Sequence, residues 1–245
     1  MTQIVSDPQG LQALDTIATQ DAFNRWMYQT IAPFCRGEIL EVGSGIGNIS
    51  RFFLEAGQRL SLSDLRSEYL ARLQQRFAGQ IEPERIFALD LVAPDFERRY
   101  ARWQGHFDSL FALNVLEHIA DQDLALCHAA SLLKPGGQMV MLVPAYFLFY
   151  NHFDRNLGHY RRYTRPTLRR ALQRAGLAVY TDFYFNLAGL PGWWISGKLQ
   201  AHQEIPGAQM ALFNRCVPLL KHLDTLSGRR FGLSVVGVAR KRSAP

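Results

Sequence analysis

Apolar and polar positions along this chain follow two alternating periods. Nearly continuous apolar runs occur at Ile39–Val42 and Phe107–Leu113 and over residues 138–143, the pattern of strands buried on both faces of a parallel sheet. Between them, apolar residues recur at helical spacing. Phe23, Trp26, Met27 and Ile31 predict a helix within residues 21–34 that lies over the sheet. Residues 48–56 predict a helix stopped by Gly57, and residues 67–77 predict another. Residues 59–64 alternate like a strand ending on an acid, and residues 85–91 read as a third strand. Asp121 caps a helix running through Leu133, and Leu133-Lys134-Pro135-Gly136-Gly137 turns into the fifth strand. Thr164 caps a helix with Leu168, Ala171, Leu172 and Ala175 on one face and Gly176 as its stop. Residues 177–185 and 231–241 complete the strands, while residues 1–19 are polar and weakly patterned. Strands alternating with helices predict an α/β fold.

The organising stretch is Ile-Leu-Glu-Val-Gly-Ser-Gly-Ile-Gly-Asn-Ile-Ser, residues 39–50. A strand, a glycine turn and a helix-like run are how an open α/β sheet presents a nucleotide crevice. Glycines permit the tight turn and let a ligand approach the backbone. The spacing is G-x-G-x-G, and Asn48 stands where a dinucleotide fingerprint has its third glycine. Glu41, two residues ahead of Gly43, would repel a pyrophosphate. S-adenosylmethionine carries a sulfonium cation and a zwitterionic tail but no phosphate, so an acid at the strand end suits it. E-x-G-x-G-x-G resembles motif I of the class I S-adenosylmethionine-dependent methyltransferases. Asp64 follows Gly43 by about twenty positions, the offset at which an acid meets ribose hydroxyls. Asn-Val-Leu-Glu-His-Ile (residues 114–119) and Leu-Leu-Lys-Pro-Gly-Gly (132–137) are also similar to motifs of that superfamily.

The resemblance implies a Rossmann-like, seven-stranded, mostly parallel sheet with helices on both faces and an inserted cap. It implies S-adenosyl-L-methionine as cofactor, bound by Glu41, Gly43, Ser44, Gly45, Gly47, Asp64, Leu65, Asp90, Leu91, Asn114 and Val115. Asp90 would receive the adenine amino group. The helix within residues 21–34 would contribute to closing the cofactor pocket, as such helices do in many methyltransferases, or, for most of its residues, merely pack its aromatics.

At 245 residues, 48% of them apolar, the chain suits a single domain with elaborations. The apolar run over residues 139–150 is too short to span a bilayer. An acid and no basic region near the start argue against a signal peptide. Cys35, Cys127 and Cys216 form no zinc pattern and no paired framework, consistent with a reducing cytoplasm. The net charge of +6 fits an anionic partner as well as general solubility. No N/D-P-P-Y/F tetrad for a flipped base is present, so a nucleic-acid partner is not expected.

Methyl transfer from a sulfonium asks the protein to orient the acceptor, exclude water and, for a hydroxyl, supply a base. His118 follows the fourth strand, near where the methyl should project. The aromatic and basic residues 144–164 lie at the substrate edge of the sheet and hold His159, Tyr160, Arg161, Arg162 and Tyr163. His118, His159, Arg162 and Tyr163 are the candidate catalytic residues. Adjacent arginines point to opposite sides of an extended segment, so one reaches an anionic substrate group while the other packs or pairs locally; the alternative is a solvated basic loop bound to nearby acids such as Asp154. Glu117, His118 and either His152 or His159 imitate the divalent-ion pattern of some relatives. Asn114 replaces that pattern's first acid, so no metal is expected.

Asp-x-x-Leu-Gly-His-Tyr-Arg-Arg-Tyr (residues 154–163) and the insertion at residues 186–230 resemble bacterial methyltransferases of polysaccharide or lipid modification. Residues 144–164 and 186–230 are read as cap elements of one domain over residues 1–245. The insertion carries Trp193, Trp194 and an apolar series interrupted at Pro218. Cap, homodimer face and membrane surface are its three open roles. The expected function is methyl transfer to a small-molecule, sugar-linked or lipid-linked acceptor, on oxygen. A nucleic-acid or protein methyltransferase and a non-catalytic cofactor-binding protein are the alternatives.

Overall fold

The computed structural model describes residues 8–195 and 207–242; residues 196–206 of the insertion lie outside them. The strands are β1 (Ile39–Val42), β2 (Leu60–Asp64), β3 (Ile86–Ala88), β4 (Phe107–Leu113), β5 (Leu133–Pro144), β6 (Leu177–Phe185) and β7 (Ser234–Lys241). They form a seven-stranded sheet in the order β3-β2-β1-β4-β5-β7-β6, in which β7 alone runs antiparallel to its neighbours. Order reverses between β1 and β4, which pair directly. In an open sheet the crevice beyond the carboxyl ends of such strands is where ligands bind.

The helices are α1 (Pro8–Ala18), α2 (Asp21–Ile31), α3 (Ser50–Glu55), α4 (Ser67–Arg76) and α5 (Phe96–Arg99), followed by α6 (Gln122–Leu132), α7 (His152–Asn156), α8 (Arg165–Arg174), α9 (Gly189–Trp194) and α10 (Gly207–Leu226). Two apolar layers cover the two faces of the sheet. One joins α5, α6 and α8 to β4 and β5 through Phe96, Leu126, Leu168 and Met139. The other sets Trp26, Phe53 and Leu73 against Ile39, Leu62 and Val140. The predicted caps are present: Asp121 accepts from the Leu124 N–H at 3.0 Å, and Thr164 and Thr167 form a reciprocal capping box.

Four features differ from the periodicity. Residues 8–18, weakly patterned in sequence, form α1, which crosses the glycine turn; Asn48 Nδ2 donates to the Leu14 carbonyl at 3.0 Å. α1 thus takes the place that α2 would hold if it closed the pocket. α2 packs its aromatics, the other reading of that helix, with Trp26 4.5 Å from Phe185 and Tyr28 4.9 Å from Phe53 between ring centres. The third strand stops at Ala88, because Leu89 and Leu91 turn into the core beside Phe96 and Tyr100. Finally, α10 continues through Pro218.

The insertion divides. α10 docks on α2, where Phe213 meets Phe23 edge-on at 5.8 Å and Asn214 Oδ1 accepts from the Phe23 N–H. Val217 is buried, and Asp224 accepts from the N–H groups of Asn186 and Leu187. Leu212, Leu219 and Leu226 remain 65%, 77% and 82% exposed, so this helix does not fold its apolar series inward as a cap would. α9 takes the other direction: Trp193 Nε1 donates to the Phe149 carbonyl at 3.1 Å and its ring meets Phe153 at 5.3 Å. Among the described residues no helix is long and apolar enough to cross a membrane.

Candidate functional site

The cofactor side is built on the ends of β1 and β2. Gly43, Gly45 and Gly47 all have positive φ, at 69°, 55° and 81°. Their missing side chains make room for the chain itself: a Cβ on Gly43 would come 2.4 Å from Val115 Cγ2, and one on Gly47 would come 2.5 Å from the Phe77 ring. The glycines therefore serve the packing of the turn as well as its conformation. Gly43→Ala is expected to lower stability by about 1–3 kcal/mol, the usual cost of forced overpacking, with a matching drop in cofactor affinity. Thermal unfolding and calorimetry of the variant check both.

Glu41 is buried, and its Oε2 accepts a short hydrogen bond from Ser50 Oγ. Burial, opposed by the hydroxyls of Ser50 and Ser44 and reinforced by the charge of Asp64, pushes its carboxyl up to about 8. Asp64 is also raised by burial, against N–H donation from Arg66 and Gly45. Its Oδ2 accepts from Gly45 N at 2.9 Å and its Oδ1 from Arg66 N at 3.0 Å, which fixes the carboxylate at the strand end. Beside it Leu65 is 49% exposed, an apolar surface at the crevice. Two buried acids with raised proton affinity lower the free energy of a cationic ligand and oppose a pyrophosphate. The donor set thus fits a sulfonium and an ammonium group.

Other candidates are placed differently. Ser44 turns its hydroxyl inward, where Ser63 N donates to it at 3.2 Å, so only its backbone lines the turn. Leu91 buries its side chain in the core and its carbonyl meets His128 Nδ1 at 2.8 Å. Asp90 is two residues past the end of β3, and its Oδ1 accepts from Val92 N as a turn-forming acid does. Asn114 is exposed, with φ of 53° and its N–H donated to the Leu142 carbonyl.

The acceptor side is built by two loops. One follows β4 and carries Glu117 and His118; the other follows α7 and carries residues 159–163. Tyr160 N donates to the Glu117 carbonyl at 2.8 Å, tying the loops together. The His118 and His159 rings lie 4.5 Å apart, edge to face. His118 is exposed, whereas the His159 side chain is 7% exposed. His159 Nδ1 is 2.8 Å from Asp154 Oδ1, so its other nitrogen is left for the site.

Asp154 organises this side. It is fully buried and accepts from Arg162 Nε at 2.8 Å, Arg162 Nη2 at 3.0 Å and the Asn151 N–H at 3.0 Å, besides meeting His159. Burial alone would raise its carboxyl; the hydrogen bonds of His159 and Arg162 hold it below the usual range. Arg162 also donates to the Ala145 carbonyl at 3.1 Å and lies over the Trp193 ring. With 1% of its side chain exposed, Arg162 is a positioning residue here and does not offer the expected substrate contact. Arg161 is its outward neighbour and donates to the Ala120 carbonyl. Tyr163 is corrected likewise: it is buried and its hydroxyl donates to Gln122 Oε1 at 2.8 Å.

Two side chains absent from the candidate catalytic set belong beside it. Glu117 is completely buried with neither carboxylate oxygen hydrogen-bonded among the described residues, and burial pushes it up to about 8. Tyr146, just past β5, has φ of 56° and stacks on Tyr184 at 4.9 Å. A left-handed aromatic residue is a strained placement, and nothing in the apolar run over residues 139–150 signals it.

Comparison with known proteins bears on the same residues. A family model described as a methyltransferase domain matches residues 20–182. The ubiquinone biosynthesis O-methyltransferase of Xanthomonas euvesicatoria is 28% identical over 156 residues, covering 58% of this chain and 62% of that protein. The polyketide synthase component of the Aspergillus terreus lovastatin nonaketide synthase is 32% identical over 111 residues, or 43% of this chain. The chain spans only 4% of that synthase's length. Among solved structures, Haemonchus contortus phosphoethanolamine N-methyltransferase 2 in complex with S-adenosyl-L-methionine shares the fold, with a TM-score of 0.60 at 16% identity, covering 98% of this chain and 61% of that one. A chain of the Haloferax volcanii complex between the Trm112 methyltransferase activator and a methyltransferase gives 0.62 at 15% identity, covering 97% and 99%.

Proposed function

This chain belongs to the methyltransferase-domain family, uses S-adenosylmethionine as its methyl donor, and on that premise we propose that it methylates an oxygen of a small-molecule acceptor. When bound, the cofactor supplies an electrophilic methyl on a sulfonium that is already an activated leaving group. The protein's work is then to hold both partners in line and keep water away.

Glu41 and Asp64, with the backbone of Gly43 and Gly45, hold the donor at the ends of β1 and β2. Exposed Leu65 offers an apolar face to its base. The observation that carries the choice of acceptor is the pair of His118, on the loop after β4, and His159, on the loop after α7, with His159 fixed by buried Asp154. Methylation of a hydroxyl releases its proton. The cluster built on these histidines holds the acceptor oxygen and lowers the cost of that loss. The printed activity of the Xanthomonas relative, an O-methyltransferase, supports the same atom. α9 lies against Phe149 and, on α7, Phe153 and serves as the cover of the acceptor, and the exposed Phe147 and Leu148 offer an apolar surface to its outer parts, sugar- or lipid-linked ones included.

Two measurements test this reading. Calorimetry should show Asp64→Ala weakening the cofactor by about 1–3 kcal/mol, the loss for hydrogen bonds to a charged group; unchanged affinity would remove Asp64 from the site. Isotope-labelled methyl transfer to a panel of paired hydroxyl and amine acceptors should label oxygen. Label found only on nitrogen rejects the oxygen assignment.

A further inference from the structure

We propose that Glu117, His118 and His159 form a binding site for one divalent cation of the zinc type. This goes beyond the methyl-transfer reading and stands without it. One ligand atom from each of the three residues can be chosen so that all lie within 4.8 Å of one another. Two imidazoles and a carboxylate are a donor set that takes first-row divalent ions in tetrahedral sites with an open position.

Three observations separate this cluster from a chance grouping. First, Glu117 is completely buried, and neither of its oxygens has a hydrogen-bond partner among the described residues. A buried carboxylate without donors is costly, and a cation is the counterpart that satisfies it. Second, His159 meets Asp154 through Nδ1 at 2.8 Å, which leaves Nε2 to the cluster. Metal-bound histidines are characteristically held by a carboxylate on the other ring nitrogen. Asp154 is in turn held by Arg162, so the ring cannot turn away without giving up its hydrogen bond to a fixed, buried carboxylate. Third, the two loops are pinned to each other by the Tyr160 N–H to Glu117 carbonyl bond, so ligands from distant parts of the chain share one frame.

Ligand atoms of a closed tetrahedral site with bonds near 2.1 Å lie about 3.4 Å apart. The three ligand atoms lie within 4.8 Å of one another, a limit that includes this spacing, and His118 is the exposed member of the set. The donor set also differs from the Glu-x-x-Glu-His pattern. Asn114 is exposed and left-handed, and the geometry does without an acid there, since His159 supplies the third ligand. With the ion bound, both histidines would be ligands, and the ion would supply the charge that lets a bound hydroxyl lose its proton more readily.

The test uses the full chain, stripped with chelator and titrated with zinc chloride, with no methyl donor or acceptor present. One equivalent should bind and survive desalting by metal analysis, and it should raise the melting temperature. His118→Ala removes an exposed side chain, and Glu117→Gln keeps the volume while removing the carboxylate ligand. Both should fold, as judged by the metal-free melt, and bind zinc at least tenfold more weakly. Failure of the native chain to retain zinc overturns the proposal, as does retention undiminished in either variant. Because binding is read without turnover, neither failure touches the oxygen-methylation reading, which its own labelling assay decides.

Discussion

Truncating His159 to alanine is expected to lower turnover by about 10²- to 10⁴-fold, the range attributed to a positioned acid–base group. Cofactor affinity should stay within about twofold, an allowance for small relaxations at a remote site. The separation follows from the fold. His159 hangs from the loop after α7 and is fixed by Asp154, whereas the proposed donor residues Glu41, Asp64 and the glycine turn lie at the ends of β1 and β2. His118→Ala should give the same pattern, because the two rings pack 4.5 Å apart at one site. Steady-state rates set beside calorimetric dissociation constants make the comparison. Retention of full turnover by both variants would show that the loop is structural and that another group handles the acceptor.

Arg162→Ala should cost the fold about 3–5 kcal/mol, the usual penalty for leaving a buried charge without its partner. The magnitude rests on Asp154. Its carboxylate has no exposed surface and loses two of its donors when the guanidinium goes, keeping the Asn151 N–H and His159. The Ala145 carbonyl and the Trp193 face lose their contact as well. Urea unfolding of the single and double variants gives the decisive number. Asp154→Asn in the Arg162→Ala background should recover part of the loss, since it removes the stranded charge. A variant with native stability and only a raised KM would instead restore Arg162 to the role of substrate contact. Its loss of turnover, by contrast, is expected to follow the displacement of His159.

These two residues mark how far the sequence reaches. His159 and Arg162 were visible as members of a basic, aromatic stretch at the substrate edge. The alternation of adjacent side chains already required that only one of Arg161 and Arg162 face outward. Which one, and that the inward member is bound to Asp154 at full burial, depends on the turn after α7. Spacing along the chain does not encode that turn.

The sequence by itself determined the sheet. Apolar runs, capped helices and glycine stops depend on interactions within a few residues, so β1, β2, β4, β6, α4, α6 and α8 lie close to where their pattern puts them. It also placed the two candidate donor acids, Glu41 and Asp64, because an acid before a glycine turn and another at the end of the next strand are local features of strand–turn–helix units. Only the tertiary structure decided the rest. α1 lacks a strong pattern because it owes its place to the turn it covers, through Leu14 and Asn48. α10 bends no rule of periodicity, yet it passes through Pro218 and docks on α2 by way of Phe213 and Asn214, while its Asp224 holds the chain at Asn186. Glu117 stands one position before His118 and some forty before His159, about the span of a βαβ crossover. What brings the three together is the return of the chain through β5 and α7 to the end of β4, a contact between segments remote in sequence. No local period records it.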